Sequence, residues 1–100
     1  MRARTVSFYI DPELLPECKH VLDAELFPRY LEMSHFVGLV VLESDVGGRP
    51  EVVGLSVWDG DLEDSDAIIE EFLRRLYAVA GITATQKSYQ VTRLVSRQDL

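Results

Sequence analysis

The sequence is poor in residues that bind metals or form cross-links. Its 100 residues include one cysteine, Cys18, and two histidines, His20 and His35. A single cysteine excludes an intramolecular disulfide and a cysteine-based metal cluster within one chain, and it is typical of proteins of the reducing cytoplasm. No three or four metal ligands fall at a suitable spacing either. We therefore expect a cytoplasmic protein with no metal site.

Basic residues and long apolar runs are also scarce. The 17 acidic and 10 basic residues give a net charge of −7, so the average electric field of the chain repels nucleic acids and anionic membranes. The apolar stretch at residues 6–10 ends at Asp11 and is too short for a signal peptide or a membrane span. We expect neither nucleic acid nor a membrane as a partner.

Strand and helix signals alternate along the chain and indicate one domain over residues 1–100. β-branched and aromatic residues predict four strands, at residues 5–10, 36–44, 52–58 and 88–96. Apolar residues at helical spacing predict two helices, at residues 18–26 and 65–80. The order βαββαβ, with right-handed crossovers, gives a four-stranded antiparallel sheet with both helices on one face, an α+β ferredoxin-like architecture.

Prolines, glycines and capping residues set the expected boundaries. Pro28 should end or kink the first helix near Phe27, with a further turn at residues 30–33. The stretch at residues 45–50 reads as the loop between the middle strands. Asp64 or Ser65 is expected to cap the second helix, and Gly81 to end it.

The two middle strands carry apolar residues on both of their faces. At residues 36–44, simple alternation places Phe36 with Gly38, Val40 and Leu42 on one face and three more apolar residues on the other. At residues 52–58 the odd positions are apolar. The even positions are mixed in polarity, and the last of them is the large apolar ring of Trp58. A strand with one face in water alternates apolar and polar residues. The uncovered face would be an apolar patch of a size that monomers rarely expose, so we expect a homodimer.

Three segments carry a resemblance to a known group of proteins: FVGLVVLES at residues 36–44, VWD at residues 57–59 and YQVTRLV at residues 89–95. On these segments the chain resembles the dimeric α+β-barrel superfamily and, within it, the antibiotic-biosynthesis-monooxygenase-like domains. The resemblance implies a homodimer with one small-molecule cavity per protomer, between sheet and helices. It also implies a cofactor-independent monooxygenase that acts on a planar aromatic or polyketide-like molecule.

The chain departs from this group at three points. The oxygenase branch has an asparagine on the first strand that holds a substrate oxygen, and the corresponding residue here is Ser7. The haem-degrading branch has an iron-ligating histidine on the second helix, which is absent here, so we expect no cofactor. Ser34-His35 replaces the usual Pro-Gly before the second strand. Two alternatives therefore stay open: a non-catalytic ligand-binding or stress-associated barrel, and an isomerase or lyase with His35 as its base.

These considerations give two sets of candidate residues. The catalytic candidates are Ser7, Tyr9 and His35, which could hold a substrate oxygen or transfer a proton. The ligand-binding candidates offer flat rings and hydroxyl donors to an aromatic molecule; they are Trp58, Phe72, Tyr77 and Tyr30. For each aromatic residue, simple packing in the core is the alternative role.

Overall fold

The structure is a computed structural model that describes residues 1–44 and 47–99. Its strands are β1 (Arg2–Tyr9), β2 (Phe36–Ser44), β3 (Glu51–Trp58) and β4 (Thr85–Gln90). Its helices are α1 (Leu15–Val21), α2 (Phe27–Leu31) and α3 (Glu63–Ala80), and a π-helical segment (Leu22–Leu26) joins α1 to α2. Single 3-10 turns lie at Pro12–Leu14 and Arg97–Asp99.

The four strands form one antiparallel sheet in the order β2-β3-β1-β4. The core lies between this sheet and the helices, which cover one of its faces and leave the other uncovered. The predicted ferredoxin-like α+β fold is therefore confirmed. Residues 45 and 46 of the predicted loop at 45–50 lie outside the described residues.

Side chains of β1 and β3 alternate between the two faces. Val6 and Phe8 of β1 are buried under the helices, and so are Val52 and Trp58 of β3. Directly opposed residues of antiparallel strands share a face, and the pairing of Phe8 with Val52 aligns the even-numbered residues of both strands. The odd-numbered residues therefore point to the uncovered, outer face; they include Ser7, Tyr9, Val53, Leu55 and Val57.

A β-bulge near the start of β2 interrupts the alternation there. Phe36 pairs with Trp58, whereas Gly38, two residues later, pairs with Val57. The expectation that Phe36 and Gly38 share a face is therefore wrong, because a bulge inserts an extra residue and reverses the alternation. Phe36 lies on the helix-covered face. Beyond the bulge, the pairing with β3 places Leu39 and Val41 on the helix-covered face and Val40 and Leu42 on the outer face.

The first helical layer changes geometry just before Pro28. The backbone N–H of Phe27 donates to the carbonyl of Leu22, five residues back, which is the π-helical pattern. Pro28 has no N–H, and its ring crowds the carbonyl four residues back, so a widened turn accommodates it. The irregularity predicted near Phe27 is confirmed, and the helix ends at Leu31.

The helix α3 starts earlier than predicted. It begins at Glu63, whose N–H donates to Asp61 Oδ1 at 3.1 Å. The predicted cap at Asp64 or Ser65 is therefore wrong, and Ser65 is buried in the first turn. The helix ends at Gly81 as predicted, with φ at 64°, a left-handed conformation that glycine adopts without steric cost. No described helix has the length and apolar character needed to cross a lipid bilayer.

The strand β4 ends at Gln90, well before the predicted end at residue 96, and begins three residues earlier than predicted. Gln90 pairs with Arg2, the first residue of β1, and the N–H of Val91 makes a last bond to the carbonyl of Met1 at 2.9 Å. In the part of the chain that the structure describes, residues 91–96 have no further strand to pair with. Strand propensity alone does not give a strand without a partner.

Candidate functional site

Three aromatic rings from three elements meet on the helix-covered face. Tyr30 of α2 stands edge-on to Trp58 of β3, with ring centroids 5.0 Å apart and planes at 89°. Phe36 of β2 packs at 5.2 Å from Trp58 and 5.6 Å from Tyr30. Edge-to-face contacts of this kind favour a fixed arrangement. We call Tyr30, Phe36 and Trp58 the aromatic cluster; two of its members are predicted ligand-binding residues.

A chain of hydrogen bonds fixes the indole ring. Trp58 Nε1 donates to Ser56 Oγ at 2.8 Å, and the Ser56 hydroxyl donates to the backbone carbonyl of Arg4 at 3.4 Å. Buried polar groups need such partners. The indole N–H and the serine hydroxyl are thus both engaged within the fold, and the ring of Trp58 is held in one position.

Arg4 is a buried cation on the same face. Its side chain is 7% exposed, and it forms an ion pair with Asp66 of α3. It also donates to Ser65 Oγ at 3.1 Å, to the carbonyl of Leu62 at 3.3 Å and to Gln86 Oε1 at 3.2 Å. Sequence reasoning missed this residue. The available signal was its even position on β1, the same parity as Val6 and Phe8.

A narrow apolar cavity of about 30 Å³ lies between the sheet and the helices. Gly54 forms part of its wall. A Cβ built on Gly54 would have open space around it, because its nearest neighbour would be the carbonyl oxygen of Val6, 3.9 Å away. Tyr30, Ser56 and Phe72 are also among its lining residues, while Trp58 packs behind Tyr30. A volume of this size holds a water molecule or two and no aromatic ligand, so the cavity is closed in this conformation.

The cavity shares a wall with a surface depression between the π-helical segment and the edge strand β2. Leu22, Phe27 and Val41 line both the cavity and a surface depression of about 360 Å³. An ion pair spans this depression from α1 to β2, with Lys19 Nζ 2.9 Å from Glu43 Oε1. Because β2 has a free edge and π-helical turns often occur at functional sites, this is the entrance that the fold offers to the cavity.

The Tyr30 hydroxyl is the one titratable group among the residues that line the cavity. Burial raises the pKa of Tyr30 to about 12, and the positive charge of Arg4 partly opposes this rise. Within residues 1–44 and 47–99, Tyr30 makes ring contacts but no hydrogen bond through its hydroxyl. At neutral pH the group is therefore a protonated donor available to a ligand.

The predicted catalytic residues Ser7 and Tyr9 lie on the opposite side of the sheet. Ser7 pairs with Val53 and Thr85 on the outer face, and Tyr9 is 57% exposed there. The structure therefore brings neither of these two catalytic candidates to the cavity on the helix-covered face of the protomer. The reason is the parity of β1, whose cavity-facing residues are the even-numbered ones.

The remaining candidates are on the surface, away from the cavity. His35 is exposed just before β2, where its carbonyl accepts the N–H of Asp59 at 2.8 Å. Tyr77 is 66% exposed on α3. Neither side chain lines the cavity. Among the described residues, no group of three or more histidine, cysteine, aspartate or glutamate side chains is arranged to hold a metal ion.

A larger open cleft of about 750 Å³ lies at the outer end of Arg4. Its walls mix cations such as Arg2 and Lys87 with anions such as Asp61 and Glu63. The cleft has no aromatic wall and no net charge that would select a ligand of one sign. The enclosed cavity beside the aromatic cluster is therefore the better candidate site.

No family profile matches the chain, and no curated protein sequence matches it. Solved structures do. A candidate antibiotic biosynthesis monooxygenase from Deinococcus radiodurans superposes with a TM-score of 0.75 at 10% identity, over 96% of this chain and 97% of that one. SnoaB from Streptomyces nogalater, a cofactor-independent oxygenase, gives a TM-score of 0.68 at 14% identity, over 94% and 96% of the two chains.

A third similar structure is a dimeric ferredoxin-like protein from an uncultured marine organism. Its TM-score is 0.69 at 12% identity, over 97% of this chain and 100% of that one. What the chain shares with these proteins is the fold. The resemblance to antibiotic-biosynthesis-monooxygenase-like barrels is therefore confirmed at the level of fold.

Replacing Tyr30 with phenylalanine is predicted to change the stability of the chain at alkaline pH. The pKa of Tyr30 is about 12 in the folded chain against 10.0 for an ordinary tyrosine, so the folded state keeps this proton to higher pH than the unfolded state. The free energy of unfolding should then fall as pH rises from about 10 to 12. In urea unfolding, the free energy of unfolding of Tyr30→Phe should fall by about 1–3 kcal/mol less than that of wild type over this pH range.

The control is Tyr77→Phe, which removes the same hydroxyl from an exposed ring. Its free energy of unfolding should follow wild type at each pH. If Tyr30→Phe and wild type lose the same stability in alkali, the hydroxyl of Tyr30 does not titrate as a buried group.

Proposed function

We propose that this protein is a homodimeric, cofactor-independent monooxygenase-like barrel that binds a planar aromatic small molecule between its sheet and its helices. The observation that carries the proposal is the cavity beside the aromatic cluster, where the Tyr30 hydroxyl is an unengaged donor. The fold shared with SnoaB, a cofactor-independent oxygenase, supports the same function. Fold alone does not determine a reaction, so the residues of the cavity carry the rest.

The shape and lining of the cavity favour a flat apolar ligand. The space lies between two layers of secondary structure, over Gly54, and Phe8 and Phe72 contribute rings from the sheet and from α3. Aromatic walls bind flat rings through large buried apolar areas. Binding requires the entrance between Phe27 and Val41 to open, since the cavity at rest is smaller than any such ligand.

The chemistry open to this site is stabilisation of a substrate anion. A phenolic or enolised substrate carries negative charge on an oxygen, and the protonated Tyr30 hydroxyl can donate to that oxygen. The carbanion form of such a substrate can reduce O₂ directly. When a ring methylene becomes a carbonyl, one atom of O₂ enters the product and the other leaves as water with the two methylene hydrogens. The substrate supplies all four electrons, so the reaction needs no external reductant.

A non-catalytic ligand-binding barrel is the second candidate function. One observation favours it: among the described residues that line the cavity, none is a carboxylate or a histidine that could act as a base. His35, the base required by an isomerase or lyase on this scaffold, is exposed and does not line the cavity. The isomerase alternative therefore has no support from the geometry.

Binding can be followed directly, because Trp58 is the one tryptophan in the chain. A flat aromatic ligand in the cavity should quench or shift its emission. Gly54→Val should weaken binding of anthrone or a quinol about tenfold or more, since the added methyls occupy the cavity. The control is Leu31→Val on α2, a 73% exposed position outside both the cavity and the outer face of the sheet. Equal affinities for the two variants would place the ligand elsewhere.

Oxygen uptake separates the enzyme from the binding protein. With anthrones and quinols as substrates, we expect consumption of O₂ by wild type and a rate about 10–100-fold lower for Tyr30→Phe, because the donor to the oxyanion is lost. Tyr77→Phe should react like wild type. A protein that binds these compounds and consumes no oxygen is the non-catalytic barrel.

The outer face of the sheet supports the homodimer. Val40 and Leu42 of β2 are each 53% exposed there and are paired across the strands with Leu55 and Val53. These residues, with Val57, form a continuous apolar patch that we call the outer patch. Burying such a patch against a second copy stabilises the pair by about 25 cal/mol for each Å² of apolar area, before association costs. A fold shared with a dimeric ferredoxin-like protein supports the same assembly.

A charge in the outer patch is predicted to separate the two copies. Light scattering of wild type at micromolar concentration should give twice the chain mass of 11.3 kDa. Val40→Glu should give the chain mass, because a buried carboxylate without a partner is strongly unfavourable. Leu31→Glu introduces the same charge at a 73% exposed leucine of α2 and should leave the dimer intact. A wild-type protein with the chain mass would contradict the proposed dimer.

We also propose a cytoplasmic location. The one cysteine, Cys18, is buried, and burial together with the nearby Glu43 raises the pKa of its thiol to about 11. Such a thiol is a poor disulfide partner. A fold without cross-links suits a reducing compartment.

A further inference from the structure

The first helical layer, from α1 to α2, has a surface groove on each of its two sides. The groove towards α3 has a volume of about 280 Å³ and shares Leu26 and Phe72 with the cavity. The depression towards β2 has a volume of about 360 Å³ and shares Leu22, Phe27 and Val41 with the cavity. The cavity at rest, about 30 Å³, is too small for an aromatic ligand. The layer therefore has to move away from α3 or from β2 before such a ligand can enter.

Two ion pairs hold the layer to α3. Arg29 Nη1 of α2 lies 2.5 Å from Glu71 Oε2, and Glu25 Oε2 of the π-helical segment lies 3.3 Å from Arg75 Nε. Glu71 and Arg75 are one turn apart on α3, and all four side chains line the same groove. The layer is thus attached to α3 at two successive turns.

A single ion pair joins the layer to β2 within residues 1–44 and 47–99, the one between Lys19 and Glu43 at 2.9 Å. Its side chains are 51% and 38% exposed, and exposed ion pairs contribute little to stability. The strand β2 is also at the edge of the sheet. The side of the layer that faces β2 is therefore the one that separates more easily, and a weak contact suits a movement that has to reverse.

The buried thiol of Cys18 lies next to this ion pair. Cys18 is 3% exposed, and it precedes Lys19 on α1. It is also close enough to β2 for the carboxylate of Glu43 to contribute to the rise of its pKa. Movement of α1 away from β2 would expose the thiol to solvent. Cys18 is therefore a natural reporter of this movement, independent of any ligand.

We propose that the ion pair between Lys19 and Glu43 is a latch, and that the ligand enters and leaves when α1 and the π-helical segment move away from β2 while the ion pairs to α3 stay formed. This inference rests on the proposed binding cavity and adds what controls access to it. Neither residue of the latch lines the cavity. The latch therefore sets the rates of entry and exit, and it leaves the choice of ligand to the cavity.

Reversing one charge of the latch tests the proposal. In Lys19→Glu two carboxylates face each other, so a neutral maleimide should modify Cys18 about fivefold faster than in wild type, as followed by mass spectrometry. The added carboxylate disfavours the thiolate and by itself slows the reaction, so a faster reaction reports a more exposed thiol. Lys19→Glu combined with Glu43→Lys restores a pair of opposite charges and should return the rate to that of wild type.

The matched control is Glu25→Lys, which places two cations across the groove towards α3. The ion pair between Arg29 and Glu71 still holds that side, so the rate at Cys18 should stay as in wild type. An equal acceleration in Glu25→Lys, or a double variant that does not return to the wild-type rate, would overturn the latch.

Urea distinguishes local opening from global unfolding. Local opening exposes little surface, so the rate at Cys18 in Lys19→Glu should be insensitive to urea well below the unfolding transition. An acceleration that rises steeply with urea would overturn the latch, because it would come from unfolding of the whole chain. If Lys19→Glu fails to fold, Lys19→Met decides the question, since an unchanged rate in that variant also overturns the latch.

Binding kinetics separate the latch from the cavity. Followed through Trp58 emission in stopped flow, association and dissociation of anthrone should both be about fivefold faster in Lys19→Glu, with an affinity close to that of wild type. If Cys18 responds as expected and the binding rates do not change, the ligand enters elsewhere, so the latch is wrong and the cavity stands. If wild type binds no anthrone, the proposed function fails, and the rates at Cys18 still decide whether the layer opens towards β2.

Discussion

The alternation of side chains along β1 and β3 is the constraint on which the rest of the structure depends. Even-numbered residues face the helices and odd-numbered residues face outward, so each strand contributes side chains both to the helix-covered face and to the outer face. On β1, Val6 and Phe8 build the core while Ser7 and Tyr9, their immediate neighbours, belong to the outer face. A shift of one residue would exchange the two sets. The proposed dimer surface and the proposed ligand cavity are thereby separated by the thickness of a single sheet.

Two local irregularities then give the helix-covered face its candidate site. The bulge in β2 brings Phe36 inward to meet Trp58, and without it the ring would face outward and the aromatic cluster would lose a member. The π-helical segment before Pro28 brings Leu22, Leu26 and Phe27 over the cavity. Each irregularity adds a residue to a regular element, and each lies beside the space that a ligand would occupy. That agrees with the general tendency of bulges and π-helical turns to occur near functional sites.

Sequence patterns were sufficient for the fold, because strand and helix periodicity, Pro28 and Gly81 act locally. They failed where the position of a residue depends on its pairing with a residue of the neighbouring strand. Alternation placed Phe36 on the wrong face, since a bulge leaves no periodic signature. Propensity extended β4 past Gln90, since pairing is set by the reach of β1. Arg4 was overlooked because a charged residue is usually solvated, and the one signal of its burial was the parity that it shares with Val6 and Phe8. Parity also places Ser7 on the outer face, one residue away from the residues of β1 that face the helices.

A buried arginine is costly for a chain of this size, and packing does not require it here. An apolar residue at position 4 would fill the same place between β1 and α3, without the desolvation of a guanidinium group or an unengaged Nε–H. The same holds for Gly54, where a side chain would fill a void and improve the core. Two positions that lower stability, a charge without a full set of acceptors and a gap without a side chain, therefore lie on the helix-covered face of the neighbouring strands β1 and β3. A ligand with a flat ring over Gly54 would fill that gap, as the proposed binding cavity requires.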